Sequence, residues 1–210
     1  MNFTKTLFAL ALVATAPAAF AQSADLSVAG KLYPGTCSVD LGNAGVADFG
    51  DIRSNALNAD QVTLLDPVTL PLTVACDGEV RFAFEGVDNA SSSSTQSDRY
   101  GLGFTAADEK IGNANLFVAD VTADGVPGYG TRSDDNGITW GDSNPGGNYS
   151  LAMHDLVGFA KDEAVGTGPA PIENLQGSLK VWAQIQPTDE LTITEDVQIN
   201  GSASLNIVYL

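Results

Sequence analysis

The feature that most limits what this chain can fold into is a period-two alternation of apolar and polar residues, repeated in short runs. Leu70, Leu72, Val74 and Cys76 share one parity, and Val80, Phe82 and Phe84 follow the turn-like pair Asp77-Gly78. Leu179, Val181, Ala183 and Ile185 form another run, with Leu191, Ile193 and Val197 after it. At the end of the chain Ala203, Leu205, Ile207 and Tyr209 alternate with Ser202, Ser204 and Asn206. Successive side chains of a strand point to opposite faces, so each run reads as a strand with one buried face. Gly42-Asn43, Asp124-Gly125, Asn136-Gly137, Pro145-Gly146-Gly147 and Asn200-Gly201 supply turns between the runs. No window carries a long helical stripe, although Asp51–Gln61 has room for one helical turn. Many short strands at this spacing predict an all-β fold, an antiparallel β-sandwich. No internal repeat of about 20–50 residues is present, which argues against propellers and solenoids.

Asp88–Asp98 is a polar, serine-rich stretch that buries no apolar area and is predicted to be a mobile loop. Residues 106–150, rich in Gly, Asp and Asn, are predicted to be hairpins and long loops decorating the sandwich. Residues 1–21 have the layout of a secretory signal: Lys5, an apolar stretch from Leu7 to Ala16, and Ala19-Phe20-Ala21 before the expected cleavage. The mature chain is then a single domain, residues 22–210, with no apolar run long enough to cross a bilayer as a helix.

Charge narrows the function. Asp and Glu number 26 against 9 Lys and Arg, a net charge of −17. Such a surface has no cationic track for phosphates, which argues against nucleic acid as a partner. Hydrophobic residues make up 44%, too many for a disordered acidic tail. The two cysteines, Cys37 and Cys76, are an even count in an exported chain, which favours a disulfide. A metal pair is the weaker reading, because two thiolates need two more ligands and His154 is the one histidine.

Candidate chemistry is sparse. Ser133, Asp135, Gly137, Thr139 and Trp140 fit S-x-D-x-G-x-T-W, which resembles the Asp box of sialidases and related propellers. The motif occurs once and its physics is local: a carboxylate accepting turn N–H groups, a glycine at positive φ and a tryptophan stapling the hairpin. It is read as a structural turn. The acidic stretches Asp120–Asp124 and Asp134-Asp135-Asn136 have oxygen ligands of the kind calcium takes, but not the EF-hand spacing, and read as solvated loops. His154 stands in no nucleophile frame. The expectation is a non-enzymatic protein with no metal and no cofactor.

A family resemblance is carried by the two ends. Val28-Ala29-Gly30-Lys31-Leu32-Tyr33-Pro34-Gly35-Thr36-Cys37-Ser38-Val39 resembles the start of bacterial chaperone–usher pilus subunits, with Cys76 at the position of the partner cysteine. Phe49-Gly50-Asp51-Ile52, Cys76-Asp77 and Gly101-Leu102-Gly103 most resemble a fimbrial-like (beta-fimbriae-type) branch of unknown function. The closing strand, with Tyr209 penultimate, is similar to the one a periplasmic chaperone grips. This resemblance implies an immunoglobulin-like, pilin-like sandwich lacking its seventh strand, completed first by a chaperone and then by another fimbrial subunit at the outer-membrane usher. It also implies that Ala203, Leu205, Ile207 and Tyr209 dock into the core and border the chaperone or donor-strand interface. Passage through the periplasm to the cell surface follows. A second architecture stays open, in which part of residues 106–170 completes the sandwich internally. The product is then a monomeric exported module whose loops bind a carbohydrate or protein, with Tyr129, Trp140 and Tyr149 as stacking candidates.

Overall fold

The computed structural model describes residues 27–29, 35–142 and 147–210. The expected signal segment lies outside the described residues. The chain separates into two units, Met1–Tyr33 and Pro34–Leu210. In the first, only Ser27, Val28 and Ala29 are described, all exposed and in no regular element.

Every strand among the described residues lies in the second unit. In chain order they are β1 (Cys37–Leu41), β2 (Thr63–Leu64), β3 (Val68–Val80), β4 (Phe82–Asp88), β5 (Tyr100–Gly101), β6 (Gly112–Ala123), β7 (Val126–Pro127), β8 (Tyr129–Ser133), β9 (Gly141–Asp142), β10 (Asn148–Ser150), β11 (Leu156–Ala160), β12 (Ile172–Ile185) and β13 (Ala203–Tyr209). One sheet runs β1-β3-β12-β6-β10, with β2 on β12 and β5 and β7 on β6. The other runs β13-β4-β11-β8-β9. All their pairings are antiparallel. The fold is an antiparallel β-sandwich.

The alternating runs explain the layers. Leu70, Leu72 and Val74 of β3 and Leu175 and Leu179 of β12 point inward from the first sheet, meeting Phe82 and Phe84 of β4 and Val157 and Phe159 of β11. Phe84 lies edge-on to both Phe82 and Phe159, and Tyr149 edge-on to Phe159, the ring arrangement that aromatic quadrupoles favour. A second apolar cluster, with Tyr100, Leu102, Ile111, Ala183 and Ile185, closes one end.

Four expectations are corrected. Asp77-Gly78 is not a turn: β3 runs on to Val80, and the chain changes sheets at Arg81. Asp77 instead clamps the entry to β1, its carboxylate accepting the Thr36 N–H at 2.7 Å. Asp88–Asp98 is not a bare mobile loop. It holds a 3-10 turn (Ser91–Ser93) in which Ser93 is buried and hydrogen-bonded to Ala90 O and Gly103 N. The stretch meets its need for order through hydroxyl bonds rather than apolar burial. Within 106–150, β6 is no decoration: it pairs with β12 along its length and puts Val118 and Val121 in the core. Finally, Leu191, Ile193 and Val197 form no strand. They lie beyond a 3-10 turn, Thr188–Glu190, in the passage leading to β13.

Candidate functional site

The site is built from two of the sandwich's edge strands, one from each sheet. β1 pairs with β3 alone, and β13 pairs with β4 alone. Among the described residues no backbone hydrogen bond joins β1 to β13. A side-chain hydrogen bond spans the gap, the Cys37 N–H donating to the Tyr209 hydroxyl at 2.8 Å. The described part of residues 106–170 does not fill this seam. Its strands β6 to β11 sit inside the sheets or at the opposite edges, β9 and β10. The internally completed architecture is therefore not the one observed among the described residues.

The side chains bordering the seam are apolar and only half buried. Cys37, Val39 and Leu41 on β1, and Leu205 and Ile207 on β13, pack against the main core yet keep part of their surface open. Residues deeper in the same core, such as Val74 and Phe84, are sealed. The expected inward face of β13 is thus realised in Leu205 and Ile207. Ala203 is exposed, and Tyr209 is 47% exposed, so these two do not dock into the core as expected. They lie at the strand's ends, where β4 supports them from one side only.

Cys37 and Cys76 are register partners and are joined by a disulfide, S–S 2.05 Å. The bond rivets the edge strand β1 to β3 beside the seam. Past Leu41 of β1 and ahead of Ala203 of β13, the segments 46–54 and 191–199 border a cavity of about 790 Å³. Sequence reasoning read this lining only as the Phe49-Gly50-Asp51-Ile52 motif, room for a helical turn and the alternating runs ending at Ile185 and at Val197, and gave it no binding role. The signal was there in parity: Ala47 and Phe49 continue the odd-numbered series of β1, and Val197 and Ile199 anticipate that of β13.

The turn at 133–140 closes as its residues predict. Ser133 Oγ donates to Asp135 Oδ1 at 2.7 Å and accepts the Gly137 N–H at 2.8 Å. The Asp135 carboxylate accepts Thr139 Oγ1 at 2.6 Å and the N–H groups of Ile138 and Thr139. Those donors, the Thr139 hydroxyl foremost, lower its pKa to about 2. Gly137 has φ +86°, and Trp140 Nε1 donates to the Gly137 carbonyl while the ring lies against Gly168. Every polar group of the motif is engaged in holding the loop. Tyr149 meets Phe159 edge-on, and Trp140 lies against its own turn, both half buried.

The acidic stretches are also committed. Asp124 holds Lys161 Nζ at 2.6 Å and accepts the Asn174 N–H, and Asp120 holds Lys180 Nζ at 3.2 Å. No group of three or more His, Cys, Asp or Glu residues suited to a metal occurs among the described residues. His154 is an exposed loop residue at φ +73°. Among the described residues no helix is long and apolar enough to cross a membrane.

Comparison with known proteins adds two likenesses. Residues 26–100 match the model of a family described as a protein of unknown function, DUF1120. Over its whole length the chain is 23% identical to an uncharacterized protein, YhcF, of Escherichia coli (strain K12), all of which it covers. The matched family segment spans β1 to β4 and includes both cysteines, the strand that bears one free edge and the strand on which the other is laid.

Proposed function

We propose that this chain is a non-enzymatic structural subunit of an exported surface fibre of the chaperone–usher type. A periplasmic chaperone captures it, an outer-membrane usher receives it, and strand exchange with other fimbrial subunits builds it into the fibre. One observation carries the reading: two unpaired strand edges flank a seam whose side chains belong to the core but are only half covered. A strand laid between β1 and β13 hydrogen-bonds to both edges and sends alternate side chains into the seam. Left alone, the same edges and apolar surface template aggregation, which is the hazard a capturing chaperone removes. The disulfide suits an oxidising compartment.

The test is expression of residues 22–210 in a bacterial periplasm, with and without a chaperone of this class, followed by light scattering on the soluble fraction. The reading expects aggregated or self-associated chain without the chaperone and a soluble one-to-one complex with it. A chaperone-free, stable monomer that melts cooperatively refutes it and leaves a self-complete exported binding module in its place.

A further inference from the structure

We infer that the cavity bordered by segments 46–54 and 191–199 is built for a strand presenting a lysine or arginine between apolar residues, and that this strand comes from a different protein rather than from a second copy. The inference rests on the strand-addition reading above and names the occupant's chemistry.

Phe49, Ile52, Leu57, Ile185 and Leu191 supply apolar wall, while Asp48, Asp51, Glu195 and Asp196 line the same cavity against one guanidinium, Arg53. None of these five charges makes an ion pair with a described residue. The described ion pairs lie elsewhere, on Glu79, Asp120, Asp124 and Asp155. One wall is also anchored in place: the Glu109 carboxylate accepts the Thr192 N–H and the Thr192 hydroxyl. Four carboxylates against one cation on an apolar floor suit a side chain with an apolar stem and a cationic head. Filling the cavity excludes water, which strengthens that attraction. An anionic strand meets repulsion in the same place.

The chain's own N-terminal arm does not have this pattern. In an extended arm Leu26, Val28 and Leu32 share one face with Gly30, so Lys31 falls on the opposite face. A second copy that buries its apolar face therefore offers the cavity no cation.

The experiment refolds residues 22–210 with an equimolar mixture of two short peptides of alternating apolar sequence. They differ at one inward position, Lys in one and Glu in the other, and mass spectrometry identifies which peptide the soluble complex carries. The Lys peptide is expected to be retained about tenfold over the Glu peptide at low salt, with the preference fading toward 1 M salt. Glu195→Gln with Asp196→Asn is expected to reduce it, and a peptide of residues 22–33 to lose to the Lys peptide. Equal incorporation of Lys and Glu peptides overturns this inference while leaving strand addition intact, as does a winning 22–33 peptide for the identity of the partner. Soluble protein carrying neither peptide, or no gain in soluble protein from either, overturns the strand-addition reading itself.

Discussion

Removing the disulfide by Cys37→Ala with Cys76→Ala tests how the edge strand is held. The two cysteines are 39 residues apart in sequence and face each other in the β1–β3 register. Closing a loop of that size removes unfolded-state entropy worth about 4 kcal/mol in the chain-entropy model. The native side adds little, because both residues are half buried and alanine keeps the Cβ in place. β1 is five residues long and pairs on one side, so it has few other bonds to offset the loss. For a domain of ordinary stability, about 5–15 kcal/mol, this is a large share, equivalent to a fall in Tm of roughly 8–16 °C. The assay is urea unfolding of both proteins at one fixed concentration of the same seam-filling peptide, so that the linkage contribution is common to both. A drop in stability below about 1 kcal/mol, with unchanged m-value, refutes the loop-closure account. It would mean that β1 is held by its pairing and by the core contacts of Val39 and Leu41.

Three further outcomes are expected. Ile207→Asp sets a carboxylate among half-buried core side chains, so soluble protein should fail to accumulate, whereas the outward exchange Asn206→Thr should be tolerated; equal yields of the two count against the inward assignment. Gly86→Ala brings a Cβ onto the hydroxyl of Tyr100, which donates to Leu151 O at 2.7 Å, and should cost about 1–3 kcal/mol. Adding Tyr100→Phe should recover part of that loss, and strictly additive costs would show that the close approach is not the cause. The Asp135 pKa of about 2 lies below its ordinary 3.8, so its stabilising effect is full above about pH 4 and is lost as pH falls through 2. The stability gap between wild type and Asp135→Asn, followed by urea titration, should close over that window, and a gap that stays constant would remove the carboxylate from the account.

The sequence by itself determined the strands that bury one face. Leu70-Leu72-Val74, Leu179-Val181-Ala183-Ile185 and the β13 alternation were legible because a strand's side-chain period is two and apolar burial enforces it locally. The Asp-box turn was legible for a similar reason, since its donors and acceptor lie within eight residues. Pairing of strands distant in sequence was decided only by tertiary structure. Nothing local says that the chain leaves the first sheet at Arg81, or that residues 112–123, within the Gly-, Asp- and Asn-rich stretch 106–150, become a central strand beside β12. The seam is of the same kind. Leu205 and Ile207 read as core residues, and in contact terms they are; that they remain half open follows from which strand lies beyond them. Exposure at an edge is a property of neighbours. The cavity likewise needs residues 46–54 and 191–199 side by side, and no spacing along one chain specifies that meeting.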